Sequence, residues 1–324
     1  MSDLNSDGNL DLIVGDEGGA ISVFPGKPNG TFRQPKGFLV GAGVYWVAAG
    51  DVNSDGKNDV VTANTLAKTI SILINNGDGT FEQHVDYPAQ KGVSFVLLAD
   101  VNGDGKQDII GAESSYVSVW LNDGSGHFPN RVDTSVEGVS AVAVGDFNRD
   151  GNLDLVSTES SKSFSGSAVL LGDGAGHFTV GQQLPIAKPG FGVAVGDLNG
   201  DGLLDFVALN FFGNTVEAFL GKGDGTFSGA VTSKTSYSPS WVVLADFNRD
   251  GKLDVLTTNN DDGEFATLMF GSGDGTFSGK QTYWIEGGLG SPAVTGDFNG
   301  DGAPDVGFPA YSDVITVYLN TGVK

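Results

Sequence analysis

The sequence contains no cysteine, which removes disulfides, thiolate catalysis and thiolate metal sites together and leaves the redox compartment undetermined. Basic residues are scarce, with 17 Lys and Arg against 40 Asp and Glu and a formal charge of −23. Nucleic acid and anionic membrane surfaces both call for a basic patch, so this balance argues against either as the main partner and favours a cation. No run of about 18 apolar residues occurs, so no membrane-spanning helix is expected. Residues 1–20 lack the charged and apolar regions of a signal peptide, which places any export signal outside the chain. Hydrophobic residues still make up 39%, too many for a disordered acidic chain and enough for a substantial core.

What is abundant is glycine and aspartate, and both are periodic. Residues 3–11 read DLNSDGNLD, and the pattern D-x-N-x-D-G-x-x-D returns from Asp51, Asp100, Asp146, Asp197, Asp246 and Asp297, at intervals of 48, 49, 46, 51, 49 and 51 residues. Short apolar runs ending in a small residue precede the last six copies, as in WVAAG and FVLLA, and others such as LIVG and VVTA follow. An alternating stretch comes next, for example TISILIN (Thr69 to Asn75), then a glycine-rich turn closed by phenylalanine, such as GDGTF (Gly77 to Phe81). Runs of this length, rich in Val and Ile and bounded by Gly, Asn and Asp, are strands. Each period therefore holds about four, A before the acidic loop, B and C after it, and D after the Phe turn. Four strands per period of about 50 residues mark a propeller blade. Kelch and WD40 blades are disfavoured, because Gly-Gly doublets start only at Gly18 and Gly287 and no Trp-Asp dipeptide occurs. The expected fold is an all-β, seven-bladed propeller with four-stranded antiparallel blades, forming a single domain over residues 1–324.

The acidic loop has the donor set of a hard cation, which wants six to eight oxygens. Position 1 is Asp3, Asp51, Asp100, Asp146, Asp197, Asp246 and Asp297; position 3 is Asn5, Asn53, Asn102, Asn148, Asn199, Asn248 and Asn299. Position 5 is Asp7, Asp55, Asp104, Asp150, Asp201, Asp250 and Asp301; position 9 is Asp11, Asp59, Asp108, Asp154, Asp205, Asp254 and Asp305. Side-chain oxygens from these four positions converge if the chain turns at the glycine in position 6. Position 7 varies through Asn9, Lys57, Lys106, Asn152, Leu203, Lys252 and Ala303, as expected if it contributes only its backbone carbonyl. An EF-hand would need a Glu at position 12, where Val14, Thr62, Gly111, Ser157, Ala208, Thr257 and Phe308 stand instead. Up to seven Ca2+ are therefore expected, one per blade. They would bring the charge from −23 to −9, since 21 of the 40 acidic residues sit in these loops.

The unit D-h-N-x-D-G-x-x-D followed by strands and N-x-G-D-G-x-F resembles FG-GAP or VCBS-type repeats and, more distantly, the head propeller of integrin alpha subunits. The resemblance covers essentially the whole chain. It implies one Ca2+ per A-to-B loop on one rim, with ligand contacts on the opposite face or between blades, in an extracellular or cell-surface protein. Relatives include adhesins, fungal lectins and calcium-dependent polysaccharide lyases, so no one activity is implied. Two turns depart from the pattern: PNGTF (Pro28 to Phe32), and the final LNTGVK, where the Phe turn is missing.

Candidate ligand contacts come from the other end of the blades. Trp46, Phe95, Phe191 and Trp241 stand at the start of strand A, where aromatic faces can stack on sugar C–H surfaces or plug the crowded blade entrance. Asn210, in LNFFGNT (Leu209 to Thr215), and Asn259, in TTNNDDGEF (Thr257 to Phe265), suit hydroxyl recognition or serve as ordinary polar turns. The expected role is an adhesion or carbohydrate- or protein-binding module in a monomeric domain. The alternatives are a non-binding scaffold within a larger secreted protein or a calcium-dependent lyase. No catalytic residue is assigned, because every strongly patterned carboxylate pair belongs to a repeated loop and no nucleophile elbow or P-loop is present. Strand A of blade 1 should precede Asp3 and strand D of blade 7 should follow Lys324. This reads as a piece of a longer protein, with a six-bladed ring as the alternative closure and the first calcium site the weakest.

Overall fold

The computed structural model describes residues 1–260, 265–285, 292–309 and 315–322. Those residues form 26 strands in seven antiparallel sheets and no helix. Blade 2 shows the plan: strand A (Val44–Gly50) pairs with B (Asp59–Asn64), B with C (Thr69–Leu73) and C with D (Val85–Pro88). In its register Gly50 faces Asp59, Val60 faces Leu73 and Ile70 faces Tyr87. Blades 3 to 6 repeat this four-strand order, blade 1 has three strands from Leu12 to Leu39, and blade 7 has three from Val294 to Tyr318. The fold is a seven-bladed β-propeller, and the seven sheets set aside the six-bladed alternative.

Strands B and C are buried on both faces, as DVVTAN (Asp59–Asn64) and TVEAF (Thr215–Phe219) illustrate, whereas strands D such as Asn130–Ser135 are largely exposed. This gradient explains why B and C read as near-continuous apolar runs. By contact clustering the chain divides into two compact units, Met1–Val142 with Gly172–Thr179 and Phe298–Gly300, and Ala143–Leu171 with Val180–Asp297 and Asp301–Lys324. Within each unit the core lies between facing sheets. Val52, Ile70, Val96, Ile109, Trp120 and Phe128 form one cluster in the first, and Leu198, Val207, Val242, Val255, Met269 and Phe277 one in the second. Each fully buried side chain of this kind contributes about 1.5–3 kcal/mol relative to exposure.

Candidate functional site

The acidic loops are built by hydrogen bonds between their own side chains and backbone. In the second loop Asp51 accepts the N–H groups of Asp55 and Gly56 (3.1 and 2.8 Å), Asn53 Oδ1 accepts Asp55 N–H at 3.0 Å, and Asp55 accepts Lys57 N–H at 2.9 Å. The first and third loops have the same bonds at the same positions. Thus the first loop keeps the shared geometry even though only a Ser2–Asp11 bridge stands where strand A would be. Two residues per loop take left-handed backbone. The position-6 glycines have φ from +78° to +87°, and position 4 has φ near +60° at Ser6, Ser54, Arg149 and Arg249 or is glycine. A Cβ on Gly8, Gly56 or Gly105 would meet nothing within 4 Å, so the requirement for glycine is backbone conformation, with room to spare. The need at position 4 had a faint sequence signal: it is Gly103, Gly200 and Gly300 in three copies.

Position 9 behaves differently. Asp11, Asp59, Asp108, Asp154, Asp205, Asp254 and Asp305 are fully buried, and the carboxylates of Asp11, Asp59, Asp108, Asp205 and Asp254 clip the loop to the turn that follows strand C. Asp59 accepts Val52 N–H at 3.0 Å on one oxygen and Asn75 N–H at 2.8 Å on the other. Asp108 does the same with Val101 and Asn122, and Asp205 with Leu198 and Gly221. Burial pushes the carboxyls of Asp11, Asp59, Asp108, Asp205 and Asp254 up, Asp108 to about 6, against the opposing pull of the backbone N–H groups. Exposed Asp150, at position 5, is held below its ordinary value by the N–H of Asn152 and the amide of Asn148.

Positions 1, 3 and 5 therefore present two carboxylates and an amide oxygen per loop at the surface, an all-oxygen set suited to a hard cation. Among the described residues no three His, Cys, Asp or Glu side chains are gathered tightly enough to hold a metal by themselves. A cation there would draw on Asn and backbone oxygens as well. Neighbouring loops are also linked: Arg149 donates to Gly202 O at 3.1 Å, and Arg249 to Asp301 O at 3.1 Å. In blades 2, 3 and 7 an asparagine of the turn after strand C rests on the preceding loop. Asn75 Nδ2 donates to Leu4 O at 2.9 Å, Asn122 Nδ2 to Val52 O at 2.8 Å and Asn320 Nδ2 to Phe247 O at 2.7 Å.

At the opposite end of the blades the aromatic candidates stand at a recurring irregularity. Pairing of strands A and B shifts between Val44 and Trp46, Val93 and Phe95, Pro189 and Val193, and Pro239 and Trp241. Bulges re-aim side chains, and here they send some rings inward and others out. Trp46 and Phe95 lie against each other with ring centroids 4.7 Å apart, and Phe95 is buried. Trp241 is half-buried and packs beside Gly192 of the adjacent strand. Phe191, by contrast, is 51% exposed, and with it Tyr237 (67%), near the start of strand A, and Phe212 (72%), in the LNFFGNT loop.

Hydrogen bonds tie the residue 211–214 loop to the segments on either side. Phe211 N–H donates to Lys188 O at 2.7 Å, Ser238 N–H to Asn214 Oδ1 at 2.9 Å and Asn260 N–H to Ser238 O at 2.8 Å. The Lys188 ammonium lies 5.9 Å from the Phe212 ring centre. Asn210 accepts Gly213 N–H within its own turn. Asn259 is buried, bonded to Thr257 and Thr267, and donates to Tyr237 O. It belongs to a series of polar residues closing strand B, with Asn64, Glu113 and Glu159. Glu113 is the charged extreme, paired with Arg131, whose guanidinium also covers Trp120 at 4.8 Å. Asp261 to Glu264 of the candidate TTNNDDGEF loop lie outside the described residues.

A propeller whose A-to-B loops share one oxygen-rich pattern is the architecture of FG-GAP repeats. The family model for the FG-GAP-like repeat matches at residues 3–62, 51–110, 100–157, 146–208, 197–257 and 246–308, and the chain belongs to that family. Each match runs from one acidic loop through the next, so six matches span all seven loops. None of the curated proteins matches the chain. Among solved structures, a functionally unknown protein from Desulfotomaculum acetoxidans is similar over 97% of this chain and 93% of its own, with 13% identity and a TM-score of 0.72. A lectin from Agrocybe aegerita that recognises non-reducing terminal N-acetylglucosamine covers 87% of this chain and 78% of its own, at 20% identity and TM-score 0.63. The periplasmic gluconolactonase of Pseudomonas aeruginosa covers 84% and 79%, at 17% identity and TM-score 0.59. At these identities the likeness is one of fold. Among the described residues no helix is long and apolar enough to cross a membrane.

Proposed function

We propose that the protein is a calcium-binding extracellular propeller that recognises a glycan or a protein ligand through the B-to-C and D-to-A end of its blades. The observation that carries this reading is the exposed aromatic group Phe191, Phe212 and Tyr237, held on a loop and flanking segments braced by backbone hydrogen bonds. Large apolar rings kept in water on a rigid frame supply stacking area with little ordering cost, and the carbonyls and amides around them supply hydroxyl partners. The same fold serves the Agrocybe lectin in recognising N-acetylglucosamine, which makes glycans the first class to test.

Calcium enters this reading as a stabiliser of the opposite end. Asp at positions 1 and 5 and Asn at position 3 would hold it, with the carbonyl of position 7. Each position-9 oxygen keeps a second lone pair beyond its backbone bond, so that carboxylate can face the ion without releasing the loop. Loops of this kind in extracellular modules bind at roughly 10⁻⁴ to 10⁻³ M, which suits calcium outside cells. A glycan array probed with and without calcium tests the proposal. Defined signals that vanish in Phe212→Ala support it, and silence across the array in a calcium-loaded, folded protein assigns the chain to the scaffold role instead.

A further inference from the structure

Three of the seven acidic loops carry a lysine at position 7, Lys57, Lys106 and Lys252, and all three stems are held in one way. Each runs across the first glycine of the Phe turn in its own blade. A Cβ on Gly77 would lie 2.7 Å from Lys57 Cδ, one on Gly124 2.8 Å from Lys106 Cε and one on Gly273 3.2 Å from Lys252 Cε. Those glycines have φ of +89°, +92° and +81°, and the turns around them close alike: the N–H groups of Asn76, Asp123 and Ser272 donate to the carbonyls of Thr80, His127 and Thr276 at 2.9 to 3.0 Å.

The ammonium groups diverge. Lys57 Nζ donates to Asp55 Oδ2 at 3.2 Å, and Lys106 Nζ lies 3.3 Å from Asp104 Oδ2. Lys252 Nζ turns instead to Ser272 O at 2.9 Å, and Asp250 Oδ2 accepts the Asn248 amide at 3.1 Å, as Asp150 and Asp201 accept those of Asn148 and Asn199 at 2.9 Å. In all three lysine loops the other oxygen of the position-5 carboxylate accepts the N–H of position 7, so Oδ2 is the oxygen left for a cation. One stem thus offers its head two stations, the position-5 carboxylate and the carbonyl before the turn glycine, which belongs to Asn76 in blade 2, Asp123 in blade 3 and Ser272 in blade 6.

We propose that Lys57 and Lys106 are resident counter-ions of the second and third loops, holding Oδ2 of position 5 when no calcium is bound and withdrawing to the Asn76 and Asp123 carbonyls when it is. The inference rests on the calcium reading above and deepens it. These two loops keep part of their charge balanced without metal and bind it more weakly than they would without the lysine, whereas in the sixth loop the ammonium already stands aside at Ser272 O. A stem laid along the turn glycine keeps the head within reach of both stations. A partly exposed ion pair of this kind contributes little, so its removal should change affinity by about two- to fivefold.

The test follows a calcium titration of the isotope-labelled full chain by nuclear magnetic resonance, through the amides of Gly56 and Gly251, which report the second and sixth loops separately. The unaltered chain is compared with Lys57→Met and Lys252→Met, because methionine keeps an apolar stem over the turn glycine and removes the charge. The expected result is a Gly56 midpoint at about two- to fivefold lower calcium in Lys57→Met, and a Gly251 midpoint moved by less than about twofold in Lys252→Met. The melting temperature of Lys57→Met falls in chelator and is unchanged in saturating calcium, an asymmetry that a packing role would not produce. An unmoved Gly56 midpoint, equal shifts in the two variants, or a melt lowered equally with and without calcium overturns the proposal and leaves calcium binding in place. Amides that do not respond to calcium at all overturn both.

Discussion

The two ends of each blade follow opposite rules. At the acidic end, positions 1, 3, 5, 6 and 9 are identical in all seven copies, and the hydrogen bonds of Asp3, Asp51 and Asp100 repeat to within 0.1 Å. At the other end the connections differ in length, composition and exposure: Glu113 is sealed by Arg131, Asn259 by two threonines, and Phe212 stands in water. What is repeated is what every blade needs in order to fold, and what differs is free to carry specificity. Even inside the acidic loop the division recurs, since positions 1, 3 and 5 face solvent while position 9 is sealed within.

Removing calcium is the largest perturbation expected of the repeated end. Each of the seven loops carries three Asp within nine residues, and if a cation offsets their charge, excess chelator should lower the melting temperature by about 10 °C or more. An unchanged melt would remove calcium from the account. Next comes the contrast within a loop. Asp59→Ala strips the acceptor from two buried N–H groups, of Val52 and Asn75, and should cost about 2–5 kcal/mol in urea denaturation with or without calcium. Asp51→Ala, at a half-buried position on the loop surface, should cost under about 1 kcal/mol in chelator and more when calcium is present. Equal effects of the two substitutions in chelator would erase the distinction between sealed and exposed positions.

A smaller effect follows from Asp11, Asp59, Asp108, Asp205 and Asp254 at position 9, whose carboxyls burial raises, Asp108 from 3.8 to about 6. A group whose folded value lies above its unfolded one favours the fold most below the unfolded value and loses that contribution as pH climbs through the folded one. The metal-free protein should therefore melt at a lower temperature at pH 7 than at pH 5, a trend that differential scanning calorimetry reads directly. A flat or rising trend would show that burial does not govern these groups. Smallest in stability is Phe212→Ala at the variable end. With 72% of its surface already exposed, its loss should shift stability by less than about 0.5 kcal/mol while removing ligand binding. A large loss of stability would turn that ring from a ligand contact into packing.

Most of the architecture was legible because the repeat imposes the same demand seven times. The blade count, the strand order and the acidic loops all follow from residue types that backbone geometry or oxygen donation requires. What escaped depended on pairing. An Asp at position 9 reads the same whether it faces solvent or clips Val52 to Asn75, and only the fold reveals the two N–H groups it holds. The bulge before Trp46 and Phe95 is a property of strand register, so three similar-looking aromatics at blade entrances could not be sorted into the packed pair and the exposed Phe191. Asn259 was visible as a polar loop residue, while the threonines that engage it are brought in by strands B and C lying side by side.

The amides of Asn75, Asn122 and Asn320 have one more consequence. Each fastens the second residue of the acidic loop before it, whereas Gly172, Gly221 and Gly271 occupy the same place with no side chain to do so, and at Gly221 the joint keeps a backbone bond from Gly225 N–H to Phe147 O at 3.0 Å. Loosening of one loop is thus expected to be felt by the following blade at three of these joints more than at the other three. In a chain of nearest-neighbour contacts, opening is then expected to halt more readily at the glycine joints than at the asparagine ones, so that fraying would proceed in short cooperative blocks.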